Sequence, residues 1–325
     1  MIVSLYVDDL LVTGSNFDQL EEFKRAMKME FDMTDLGEMS YFLGIEIYQS
    51  LKGIFVCQKK YANEVLMKFN MDNCKSVDTP LIPSQKLSKE DGAKRVDEGV
   101  YRSLIGCLLY LTATRPDLMY TTSLLSRFMS KPSEKHYKAA KRVLQYIKGT
   151  TELGIWFKRA KKFSLIGYSD SDWAGSVDDM RSTSGYVFFV NHGAFSWLSK
   201  KQDTIAQSTT EAEYIFAAAA TNQAIWLRKI LADLRLNQDE STTIYCDNMS
   251  AVVIAKNPIL HGRTKHIKIK YHVVREAEQS KEISLVHCLG ENQVADIMTK
   301  GLNKSKFVEF RLKLGVSSMN IKEEC

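Results

Sequence analysis

Acidic residues placed where the chain turns are the first sign of chemistry in this sequence. Asp170 stands at the end of Ile-Gly-Tyr-Ser-Asp, and Glu213 lies in Ser-Thr-Thr-Glu-Ala-Glu-Tyr. Asp247 ends Ile-Tyr-Cys-Asp, and Asp296 ends Asn-Gln-Val-Ala-Asp. A carboxylate closing an apolar strand is expensive to bury unless it is paired or holds a cation. If the strands carrying Asp170 and Asp247 are neighbours, both side chains converge at one sheet edge, where ligands of open α/β sheets collect. Glu213, one turn into a long helix, and Asp296, on the first turn of the last helix, can reach the same point. Such a set of hard oxygen donors, with no compensating lysine expected nearby, suits Mg2+ or Mn2+. Two such ions about 4 Å apart promote in-line attack of water on a phosphodiester. Any one of these acids alone is better explained as a cap or a surface residue. Together, at compatible strand and helix ends, they are not.

A second acidic pair, Asp8 and Asp9, interrupts two apolar runs, MIVSLYV and LLVTG. That pattern reads as strand, tight turn, strand. Hairpin turns ordinarily take Asn-Gly or Asp-Gly, which tolerate positive φ. Two like charges at this turn therefore need a separate reason.

The elements that must position these groups fall into three stretches. Residues 1–79 read as the acidic hairpin, a helix over FDQLEEFKRAMKMEF, a hairpin in LGEMSYFLGIEIYQSLKGIFVCQ, and a helix over KKYANEVLMKFNM. Residues 80–162 begin with a Pro-containing polar crossing segment and continue as helices. Ser133 and His136 form only part of a capping box, because the glutamate is absent. From 163 to 325, three meander strands precede a long helix from about Thr209 to Leu234. Strand TTIYCDN, helix NMSAVVIAKN, helix KHIKIKYHVVREAEQ, strand ISLVHCLG and a closing helix ENQVADIMTKGL follow. The fold class is therefore α/β (α+β), with a mixed five-stranded sheet and flanking helices in the last stretch.

The 325 residues are 45% hydrophobic and 26% charged, an ordinary globular balance. No apolar run approaches the roughly 18 residues of a membrane helix, and no signal peptide heads the chain. The six cysteines lack CxxC spacing and read as reduced thiols, so an intracellular, non-secreted protein without membrane contact is expected. The net charge of +5 is uneven, with ten Lys or Arg against two Glu in 131–162, and six basic against two acidic residues in 263–281. Basic stretches on a chain otherwise acidic imply a polyanion partner.

Residues 163–300 resemble the ribonuclease H domain of copia-type LTR retrotransposon Pol polyproteins. The stretches that carry the likeness are GYSDSDWAG, RSTSGYVFF, SWLSKKQ, QSTTEAEY, YCDN, RTKHI and ENQVADIMTK. The resemblance implies that Asp170, Glu213, Asp247 and Asp296 bind two Mg2+ or Mn2+ ions and cut the RNA strand of an RNA–DNA hybrid. Glu211 is the rival of Glu213, and Asp172 the weaker rival of Asp170. His287 precedes Asp296 by nine residues, near a loop histidine that moves protons in many ribonucleases H, and is a candidate acid/base. Arg263, Lys265 and His266 would touch the hybrid's phosphates.

YVDDLLVTGSN resembles the palm hairpin of reverse transcriptases, whose paired aspartates help hold metal at the primer terminus. Cations between Asp8 and Asp9 would then relieve their repulsion. The segment to about Thr150, including YRSLIGCLLYLTATRPDL and AAKRVLQYIKGT, resembles thumb and connection, with Lys141, Arg142 and Lys148 along template–primer nucleic acid. The upstream reverse transcriptase portion is an implied partner. The expectation is a 5′-truncated product with ribonuclease H activity and without polymerase activity. The alternative is a catalytically inactive, co-opted fragment that only binds nucleic acid or a protein. A cellular ribonuclease H is disfavoured by the polymerase-like front.

Overall fold

A computed structural model describes residues 1–160, 163–256 and 273–319. Strands β1 (Ile2–Tyr6) and β2 (Asp9–Thr13) form an antiparallel hairpin in which Tyr6 pairs with Asp9. Val7 at its tip adopts φ +52°, a left-handed conformation that is strained for a β-branched residue. Helix α1 (Phe17–Glu30) starts where the Asn16 side chain accepts from the Gln19 N–H, and buries no residue fully.

The second sheet has the order β12-β6-β5-β4-β3. Its first part is the expected meander, β3 (Tyr41–Phe42), β4 (Ile45–Ser50) and β5 (Gly53–Cys57), followed by α2 (Lys59–Lys68). Residues 78–95 cross the surface without helix or named strand. Helices α3 (Glu98–Leu111), α4 (Met119–Ser126) and α5 (Glu134–Lys148) then pack their apolar faces together. The capping box of α5 is complete after all. His136 replaces the glutamate, its Nδ1 accepting from the Ser133 N–H at 3.0 Å, since an imidazole nitrogen supplies the same lone pair. Strand β6 (Leu153–Lys158) joins β5 and was not expected from the sequence.

The third sheet has the order β11-β10-β7-β8-β9. Strands β7 (Leu165–Ser171), β8 (Thr183–Val190) and β9 (Gly193–Lys201) form the antiparallel meander. After α6 (Thr209–Asp233), β10 (Thr242–Cys246) returns parallel to β7. Helices α7 (Met249–Lys256) and α8 (Val273–Gln279) precede β11 (Ile283–His287), which lies parallel to β10. The mixed five-stranded sheet with helices packed on it is the architecture the motifs implied.

Every residue of β8 is buried, because the sheet is covered on both faces. Tyr186, Phe188 and Val190 join the core under α6 to α8. Val187 and Phe189 point the other way, into the core of α3 to α5.

The expected closing helix over ENQVADIMTKGL is instead two 3-10 turns, Gly290–Asn292 and Val294–Met298. Tertiary bonds set that backbone. Gln293 donates to the Ser169 carbonyl at 2.9 Å, and the Thr299 hydroxyl donates to Asp170. Helix α9 (Lys304–Lys313) and β12 (Val316–Ser318) follow, and β12 pairs with β6.

Candidate active site

The parallel pairing of β7 and β10 brings Asp170 and Asp247 to the same edge of the third sheet. Asp170 lies opposite Gly185 in β8, and a Cβ on Gly185 would collide with Met298. That missing side chain lets the 294–298 turn lie flat on the sheet and deliver Asp296 beside Asp170. Asp170, Asp247 and Asp296 each offer a carboxylate oxygen within 4.8 Å of the others.

Glu213 enters from α6, whose N-terminus is fixed by Ser208 accepting from the Glu211 N–H at 3.2 Å. Alanines 217, 218 and 220 are buried in the core against the sheet, so the helix backbone lies close to it. Glu213 accepts from the Ser171 N–H at 2.9 Å and from the Cys246 thiol at 3.7 Å. With Cys246 and Asp247 it forms a second close group, also within 4.8 Å. Asp247 thus belongs to both groups and joins the four acids into one site. Glu211 instead accepts from the Gln207 N–H at the helix start. Asp172 accepts from the Thr183 N–H and stands in neither close group.

Burial and mutual repulsion dominate the electrostatics. Asp170, Glu213 and Asp296 are each under 5% exposed, and Asp247 is half-buried. Burial pushes the Asp170 carboxyl up to about 7; the Lys300 charge opposes this, and Asp296 and Asp247 add to it. Burial, then the charges of Asp170 and Asp247, raise Glu213 well above the carboxylate range. Asp247 is raised by burial and by Asp296.

Two lysines stand where none was expected. Lys300 Nζ lies 2.7 Å from Asp296 Oδ1, and Lys306 Nζ lies 3.2 Å from Oδ2. The sequence reading did not pair them with the acids, although Lys300 follows Asp296 by four residues, a spacing that shares one face of a helix. Burial works against the Lys300 ammonium, yet Asp170, Asp296 and Asp247 together hold its pKa above the ordinary lysine value. Two ammonium groups do not balance four clustered acids. An all-oxygen donor set whose charge the two ammonium groups leave unbalanced fits a hard divalent cation.

His287 ends β11, in register with Cys246 and close enough to Asp247 for its charge to act on that carboxylate, and its side chain hydrogen-bonds to none of the described residues. The other candidates lie away from the cluster. Asp8 and Asp9 are exposed on the first hairpin, in a different sheet. Lys141 and Lys148 are exposed on α5, whereas Arg142 donates to Thr79 Oγ1 at 3.1 Å. Arg263, Lys265 and His266 lie outside the described residues.

Comparison with known proteins bears on both ends of the chain. Residues 1–83 match the family model described as reverse transcriptase (RNA-dependent DNA polymerase). The retrovirus-related Pol polyprotein from transposon RE1 of Arabidopsis thaliana is 41% identical over 313 residues, 96% of this chain and 21% of that protein. A putative transposon Ty5-1 protein of Saccharomyces cerevisiae is 33% identical over 219 residues, covering 66% of this chain and 71% of its own. Among solved structures, LC11-RNase H1 in complex with an RNA/DNA hybrid is 15% identical with a TM-score of 0.30, over 42% of this chain and 94% of that one. The chain spans about a fifth of the length of the Pol polyproteins it matches. No helix among the described residues is long and apolar enough to cross a membrane. From its matched front to its acidic sheet edge, the chain belongs to the copia-type retrovirus-related Pol polyproteins of transposons.

Proposed function

We propose that this chain carries a metal-dependent ribonuclease H site that cleaves the RNA strand of RNA–DNA hybrids. The observation that supports it most is the gathering of Asp170, Asp247 and Asp296 within 4.8 Å, with Glu213 adjoining, from four separate segments. Two magnesium or manganese ions held by these oxygens would activate water and stabilise the leaving oxygen. The chain's own contribution is to fix the donors. Ser171 and Cys246 orient Glu213, Thr299 orients Asp170, and Gln293 anchors the turn that presents Asp296. Discrimination of RNA from DNA would rest on 2′-hydroxyl contacts and helix shape.

One observation favours a second reading. Lys300 and Lys306 already pair with Asp296, so part of the acidic charge is met without metal. In that reading the chain binds nucleic acid or a protein without cutting. Asp247→Asn separates the two. Under the nuclease reading it lowers magnesium-dependent hybrid cleavage about 10²–10³-fold, the scale of losing a group that stabilises transition-state charge. Hybrid affinity in EDTA stays within about threefold. A parent chain that binds hybrid but never cuts it with Mg2+ or Mn2+ establishes the second reading.

A further inference from the structure

The stretch SWLSKKQ carries part of the likeness, yet none of its residues belongs to the acidic cluster. Its last residue, Gln202, follows β9 and is buried, its backbone N–H donating to the Ser182 carbonyl at 2.8 Å. The side-chain amide nitrogen meets three oxygens. These are the Ala212 carbonyl at 2.9 Å, Ser184 Oγ at 2.9 Å and Ser171 Oγ at 3.2 Å. The two hydroxyls also bond each other at 2.7 Å. A backbone carbonyl can only accept, so the amide must turn its nitrogen, not its oxygen, toward Ala212.

Both ends of this bridge hold Glu213. Ala212 precedes it near the start of α6, and the Ser171 N–H donates to Glu213 Oε1 at 2.9 Å. Asp170 and Asp247 repel the buried Glu213 carboxylate. That repulsion pushes the start of α6 away from the end of β7, and a bridge from Ala212 to Ser171 resists this separation. Gln202 itself hydrogen-bonds to none of the four acids.

We infer, resting on the nuclease reading above, that Gln202 is a positioning residue for Glu213, its amide tying the start of α6 to the end of β7 so that the carboxylate is held ready for a cation. Residues that orient a metal ligand without touching the metal commonly carry about 10–100-fold of its affinity or activity. The fixed placement of Glu213 then depends on a side chain outside the acidic set.

The test uses the full chain. Mn2+ alone is titrated in, and the free ion is counted by electron paramagnetic resonance, a readout independent of cleavage. Gln202→Met keeps the length of the side chain and removes both N–H groups, while Ser171 and Ser184 retain each other. Gln202→Asn keeps the amide but is one methylene too short for Ala212. Each is expected to weaken Mn2+ binding about tenfold. With Mg2+, kcat for hybrid cleavage should fall about 10–100-fold while KM for the hybrid stays within about threefold. In a Glu213→Gln background, Gln202→Met should weaken Mn2+ binding no further. A melting temperature that falls while Mn2+ affinity stays at the parent value makes the amide merely structural and overturns the assignment. So does an equal loss of affinity in the parent and Glu213→Gln backgrounds, which separates Gln202 from Glu213. If Gln202→Met does not fold, Gln202→Asn carries the same comparisons. A parent that binds no Mn2+ defeats both the assignment and the nuclease reading. The expected Mn2+ losses in a chain that never cuts hybrid remove the nuclease reading alone and leave the role of Gln202 standing.

Discussion

Two buried aspartates in this molecule have opposite fates. Asp117 lies between the helices of the middle region, where Arg115 grips both of its oxygens at 2.9 and 2.8 Å and the Tyr146 hydroxyl adds a third bond at 2.7 Å. Burial opposes its charge, but Arg115 wins and holds its carboxyl below the usual range. Asp170 is as deeply buried, yet it faces other acids and its carboxyl is pushed up to about 7. The first charge is completed by the chain itself. The second is left incomplete by the chain, and under the proposed function a divalent cation completes it. Asp8 and Asp9 supply a third case. They are exposed, and no third carboxylate among the described residues joins them. Acidity alone therefore does not distinguish a site from a scaffold; the partners do.

The sharpest way to break this contrast is to remove one acid from each place. Asp117→Ala strands Arg115 in the core and should cost about 3–5 kcal/mol in urea unfolding. Asp170→Asn in EDTA should cost nothing measurable or stabilise, because it removes one of several crowded like charges. Equal losses from the two substitutions would erase the distinction.

A pH series sharpens the same contrast with a smaller signal. The folded-state pKa of Asp170 is raised, so its contribution to stability is present near pH 4 and is lost as pH rises through about 7. Metal-free protein should therefore melt lower at pH 8 than at pH 5.5, and added Mg2+ should remove that difference by favouring the ionised site. His136 acts in the reverse sense, since burial lowers its pKa and its contribution is lost as pH falls below about 6.5. Its neutral Nδ1 accepts the Ser133 N–H, which protonation would forbid. A melting temperature that rises from pH 5.5 to 8 without metal, in a His136→Gln background, would contradict the raised pKa of Asp170.

The smallest expected effect concerns the middle region alone. Ser133→Ala removes the α5 cap and should cost about 1 kcal/mol in urea unfolding without changing the metal dependence of melting.

Much of this arrangement was legible in the sequence because the acids stand at element ends. Asp170 and Asp247 close apolar strands, and Glu213 follows a Ser-capped helix start, so strand pairing alone brings them together. Asp296 was found, but its setting was not. Its turn is shaped by Gln293 and Thr299 reaching β7, contacts about 125 residues apart that no local periodicity encodes. Lys306, in the first turn of α9, reaches Asp296 only because of that turn. Strands β6 and β12 were missed for a related reason, since β12 is three residues long and gains its identity only from its partner.

The two-sided burial of β8 bears on how the nuclease region can be handled. A protein begun at residue 163 would bare Val187 and Phe189, which now pack among the middle helices, and would leave β12 without β6. Such a shortened chain should aggregate or bind dye at its stripped face, and silence in a cleavage assay would then report a damaged sheet rather than an unarmed one.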